Sequence, residues 1–110
     1  MNLNKETFSK SEIAESVGLS EDKLYKATNT NDNTKPLADH WDGITNPENG
    51  EHLRSDFEYH DKNSGECLYA QFRDNDGNEY SYVKQPDKSV NEQVNEDREL
   101  AENLDNNKGR

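Results

Sequence analysis

Residues 56–84 read DFEYHDKNSGECLYAQFRDNDGNEYSYVK, and in this stretch apolar and polar side chains alternate long enough to build a sheet. Phe57 and Tyr59, then Leu68, Ala70 and Phe72, then Tyr80 and Tyr82 recur every second residue, the side-chain period of a half-buried strand. Between the three runs stand Asn63-Ser64-Gly65 and Asn75-Asp76-Gly77, residues that tolerate the positive φ of tight turns. The pattern predicts a three-stranded antiparallel meander with those seven residues on its inner face. Cys67, Tyr69, Gln71 and Arg73 fall on the opposite face, polar enough to be solvated or to meet a partner.

On the N-terminal side, Phe8, Ser9, Glu12 and Ile13 spell a helix start. Ser9 with Glu12 makes a capping box, Phe8 staples to Ile13, and Gly18 is the stop. Ser20 is placed to cap a second short helix with Glu21 and Asp22 in its first turn and Leu24 and Ala27 facing inward. Residues 30–36 form a polar linker. In residues 37–53, Leu37, Trp41, Ile44 and Leu53 are the apolar side chains among turn residues, and Trp41 suits either a plug for the sheet face or an anchor for a partner. After Pro86, a capping box of Ser89 and Glu92 opens a helix over residues 89–105, SVNEQVNEDRELAENLD, with Val90, Val94, Leu100, Ala101 and Leu104 along one side. Residues 106–110 read as a disordered tail. The fold class is therefore α+β in one domain, 1–110: a helical hairpin over 9–29, a loop and sheet over 37–86, and a C-terminal helix.

Composition sets the limits of the core. Only 27% of the 110 residues are hydrophobic and 34% are charged, so little apolar burial is available to offset about 1–2 kcal/mol of backbone entropy per ordered residue. The formal charge is -11, with residues 1–50 contributing -4 and residues 51–110 contributing -7. Such a surface is repelled by nucleic-acid phosphates and anionic lipid and attracted to basic proteins. The single cysteine, Cys67, and the polar start MNLNKETFSKSE point to a reducing, cytoplasmic setting, with no membrane span expected.

No motif carries chemistry. His40, His52, His60 and Cys67 are separated by 12, 8 and 7 residues, unlike the close-set pairs of zinc sites. Asp74-Asn75-Asp76-Gly77-Asn78-Glu79 has part of a calcium loop, but Phe72 and Val83 stand where its first and last carboxylates belong. Cys67 and His60 have no context that marks a nucleophile and its base. The sequence predicts a non-enzyme with no catalytic residue, no cofactor and no metal.

Residues 9–29, SKSEIAESVGLSEDKLYKATN, resemble a helix-turn-helix, with Ala14 at the helix crossing, Gly18 at the turn and Leu24 beneath the second helix. That resemblance implies a transcriptional or accessory regulator from a mobile element, reading bases with Ser20 to Lys23; Glu21 and Asp22 oppose that role. In size, acidity and lack of an active site, the chain resembles the anti-restriction and anti-CRISPR inhibitors of phages and plasmids. That resemblance implies a DNA mimic that occupies the basic surface of a nucleic-acid-handling protein. Its partner-binding residues would be Asp74, Asp76, Glu79, Glu92, Glu96, Asp97, Glu99, Glu102 and Trp41. A third reading is a structural binding domain using the face around Tyr69, Gln71 and Arg73.

Overall fold

The structure is a computed structural model and describes residues 1–28 and 44–108. Ser9 opens the first helix as expected. Its hydroxyl accepts the Glu12 amide at 3.2 Å, and the Glu12 carboxylate accepts the Ser9 amide at 2.9 Å. These bonds occupy donors that a first helical turn leaves without partners. Helix α1 runs Lys10–Val17 and stops at Gly18, whose φ of 73° is left-handed backbone. No atom lies within 4 Å of where a Gly18 side chain would begin, so only the backbone resists a substitution. Gly18→Ala is expected to lower the unfolding free energy by about 1–2 kcal/mol, read as a shifted urea midpoint at unchanged slope.

The expected helical hairpin stops there. Glu21–Lys23 form a single 3₁₀ turn, and Leu24–Ala27 are extended as strand β1. Local propensity is a weak prior that tertiary pairing overrides, and here extension buries Leu24 and Ala27 in the sheet. As a strand, the same residues pair antiparallel with strand β2, Arg54–Asp61, from Leu24 opposite Asp61 to Ala27 opposite Glu58. The sheet is completed by β3, Cys67–Arg73, and β4, Glu79–Val83, in the order β1-β2-β3-β4. It is thus a four-stranded antiparallel sheet, and the three expected strands are its second, third and fourth. Gly65 and Gly77 take φ of 77° and 88° in the two connecting turns, as the sequence required.

The sheet is covered on both faces, which the alternation did not foretell. Six of the seven β3 residues, Cys67 through Phe72, are buried. On one face Ile13 and Ala14 of α1 pack with Leu24, Leu68 and Tyr69, joined by Phe8, Phe57 and Tyr59. On the other, Ala70, Phe72 and Tyr82 pack with Val90 and Val94 of the C-terminal helix α2, Val90–Lys108, and with Leu3, Ile44 and Leu53. Phe57 and Tyr59 therefore lie across the sheet from Ala70, Phe72 and Tyr82. Tyr69 is fully buried and Gln71 is 7% exposed, so of the residues expected to be solvated there only Arg73, at the end of β3, is exposed. The small apolar inventory is split into two thin cores with the sheet between them.

Helix α2 runs Val90–Lys108, past the expected end at residue 105. Its start is as expected: the Ser89 hydroxyl accepts the Glu92 amide at 3.1 Å. Its inward side differs from the apolar stripe read from the sequence, because Gln93 and Asp97 are buried beside Val90 and Val94 while Leu100 is 44% exposed. Asp97 accepts the backbone amides of Asn2 and Leu3, each within 2.9 Å, and the Tyr82 hydroxyl at 3.0 Å. The N-terminal segment is thereby tied to α2, and Asn4 goes on to exchange two backbone bonds with Ser81 at the outer edge of β4. No helix among the described residues is long and apolar enough to cross a membrane. The linker over 30–36, Leu37, His40 and Trp41 lie outside the described residues.

Candidate functional site

The acidic residues expected to meet a partner fall into three situations. Asp97 is 1% exposed and occupied by the donors just described, so it is a structural group. Asp74 is 6% exposed and holds the second turn together. It accepts from the amides of Asp76 and Asn78, the Asn78 side chain and the Tyr80 hydroxyl, and the Asn78 bonds foremost hold its carboxyl below the usual range. Asp76 and Glu79 are exposed, Glu79 accepting from Gln71 at 3.2 Å. Glu51 also reaches this turn, forming an acidic group with Asp74 and Asp76, yet the bonds to Asp74 already account for the arrangement.

The third situation is the outer side of α2. Glu92, Glu96, Glu99 and Glu102 are all exposed. Steps of three and four residues carry them along the side turned away from the sheet, about 4.5–6 Å apart in helical rise. Glu96 is held by Lys88 at 2.9 Å and by the Asn2 side chain, which pull its carboxyl below the usual range. Glu92 accepts the Ser89 hydroxyl. The side chains of Glu99 and Glu102 make no hydrogen bond or ion pair among the described residues.

A second group was not legible in the sequence. Glu58 and His60 of β2 point to the α2 side of the sheet, opposite Ala27 and Tyr25 of β1. Regular alternation from Ala70 would turn Cys67 to the other side. The pairing instead steps from Tyr59–Tyr69 to His60–Cys67, so β3 carries one extra residue, Leu68. This bulge sends Leu68 into the α1-side core and Cys67 into the α2-side core. Cys67 Sγ then lies 3.6 Å from Glu58 Oε1, and His60 Nε2 lies 2.8 Å from that same oxygen. The three are 1%, 6% and 6% exposed, and their donor atoms lie within 4.8 Å of one another. A pocket of 260 Å³ adjoins them, lined by His60, Cys67, Gly65, Glu66 and, at the start of α2, Ser89 to Asn91.

This is not the geometry of an activated nucleophile. Burial, and then the charge of Glu58, push the Cys67 thiol well above its ordinary pKa, whereas a reactive cysteine is held low. The sulfur also bonds the carboxylate, where a thiol-imidazole pair would need it on His60. Sequence spacing missed the group because sheet pairing brings residues 58 and 67 together and a bulge turns the cysteine inward. The only local trace was Glu58 and His60 two apart, on one side of a strand. Compared with known protein families, curated proteins and solved structures, the chain matches none of them.

Proposed function

We propose that the protein is a non-catalytic binding module that docks through the outer side of α2 onto a basic protein surface. The carrying observation is the row of exposed carboxylates Glu92, Glu96, Glu99 and Glu102, set on a helix whose other side is anchored to the sheet. Carboxylates held at fixed helical intervals engage Arg and Lys by charge-assisted bonds and take the place of a phosphate row. The partner class this favours is a protein that handles nucleic acid, and occupation of its channel would make the module an inhibitor of the anti-restriction or anti-CRISPR type. Asp76 remains exposed as a further contact; Glu79, which accepts from Gln71 on the α1 side of the sheet, does not share the side of α2, and Asp74 and Asp97 are occupied. The regulator reading loses its base, since the residues of its recognition helix are a 3₁₀ turn and an edge strand. The binding-domain reading loses most of its face, since Tyr69 and Gln71 are buried and only Arg73 of the three is exposed.

The test is capture of basic nucleic-acid-binding proteins on the immobilised chain, compared with an E92Q/E99Q/E102Q variant. Retention should collapse between about 0.1 and 1 M salt, over which the screening length falls from roughly 10 to 3 Å. The variant, which removes three charges from exposed positions, should retain at least tenfold less. Retention indifferent to both changes would defeat the proposal.

A further inference from the structure

The geometry points to a binding site for one zinc ion at Glu58, His60 and Cys67, a site independent of the acidic side of α2. A carboxylate oxygen, an imidazole nitrogen and a thiolate are the three protein donors zinc accepts. In a tetrahedral site with zinc about 2.0–2.3 Å from each donor, neighbouring donors stand about 3.3–3.6 Å apart. Cys67 Sγ and Glu58 Oε1 are already 3.6 Å apart, and His60 Nε2 has to move out from 2.8 Å by only about half an ångström. The third separation is at most 4.8 Å. Side-chain adjustment alone closes such differences, while β2 and β3 hold the three backbones in register.

Two further observations favour an ion over a fortuitous cluster. The cysteine reaches the group only through the bulge at Leu68, without which it would face α1. Two of the three side chains also reach open space: His60 and Cys67 line the 260 Å³ pocket, which is room for several waters at about 30 Å³ each. The pocket provides an entry path and a source for a fourth, water ligand. On binding, the Cys67 thiol proton is released to solvent. Nε2 of His60 binds through its lone pair, with the imidazole proton carried on Nδ1. Glu58 contributes Oε1 in place of the hydrogen bonds it accepts from both.

Cobalt(II) is the probe, because a thiolate ligand gives it a charge-transfer band and tetrahedral coordination gives it intense visible bands. Cys67 is the only cysteine in the chain, so a thiolate band reports this residue. Titration of the full chain should saturate at one cobalt per chain with both signals, and added zinc should displace them. Cys67→Ser should abolish the charge-transfer band. His60→Gln and Glu58→Gln should weaken binding more than about 100-fold, beyond the roughly 10–100-fold that loss of an outer-shell partner costs. His52→Gln, which alters an exposed histidine, should change nothing. Circular dichroism of each variant checks folding, and the wild-type spectrum decides the matter should a variant unfold. Cobalt bound without a thiolate band, a ratio of one metal to two chains, or no binding at all would overturn the assignment. None of these results depends on whether α2 finds a basic partner.

Discussion

Asp97→Ala is expected to remove about 3–5 kcal/mol of stability, the cost of stranding the partners of a buried carboxylate. The substitution leaves the Asn2 and Leu3 amides and the Tyr82 hydroxyl without their acceptor in a site where Asp97 is 1% exposed. Domains of this kind have roughly 5–15 kcal/mol in total, so the variant should be strongly destabilised and its urea midpoint should fall steeply. Tyr82→Phe deletes one donor and should cost about 1–1.5 kcal/mol. The two substitutions share a hydrogen bond, so a double-mutant cycle should return a coupling of about 0.5–3 kcal/mol. A loss below about 1 kcal/mol in Asp97→Ala would mean that the N-terminal segment is not held by this carboxylate. It would also return Asp97 to the set of groups available to a partner.

Tyr69→Ala should cost about 3–5 kcal/mol, in the range of large-to-small changes in a packed core. Tyr69 is fully buried between α1 and the sheet, with the rings of Phe8, Phe57 and Tyr59 at centroid distances of 6.4, 6.1 and 6.2 Å. Its hydroxyl donates to Gln71 at 2.7 Å and accepts the Phe8 amide at 3.3 Å. Gln71 in turn donates to Asp56 and Glu79, so a polar chain runs across β2, β3 and β4. Tyr69→Phe keeps the ring and loses only the hydroxyl, at an expected cost of about 1 kcal/mol. Equilibrium unfolding separates the two cases. Comparable losses in both would assign the stabilisation to the polar chain and not to the ring packing.

What could be read in the chain was what short-range physics decides. Ser9 with Glu12 and Ser89 with Glu92 begin helices because a hydroxyl in that position meets an amide three residues on. Gly18, Gly65 and Gly77 sit where the backbone turns left-handed. The apolar runs of β2, β3 and β4 showed through their period of two. Three things escaped for one reason, that each depends on pairing between distant segments. Leu24 to Ala27 had helical neighbours but gained a strand partner in Glu58 to Asp61. The opposite side of β3 read as solvated because the helix covering it begins more than fifty residues earlier, at Lys10. The bulge at Leu68 changes the parity of the strand, so no count along the sequence could place Cys67 beside Glu58 and His60. Asp97 was indistinguishable from the acidic residues around it, since nothing local says that Asn2, Leu3 and Tyr82 converge on it.

Asn4 lies along the outer margin of β4, and Asp97 holds the residues just before it in place. A strand margin left without a neighbour invites pairing with another chain. Removing residues 1–5 should therefore bare that margin, and the shortened protein should self-associate more than the full chain as its concentration rises, which sedimentation would read.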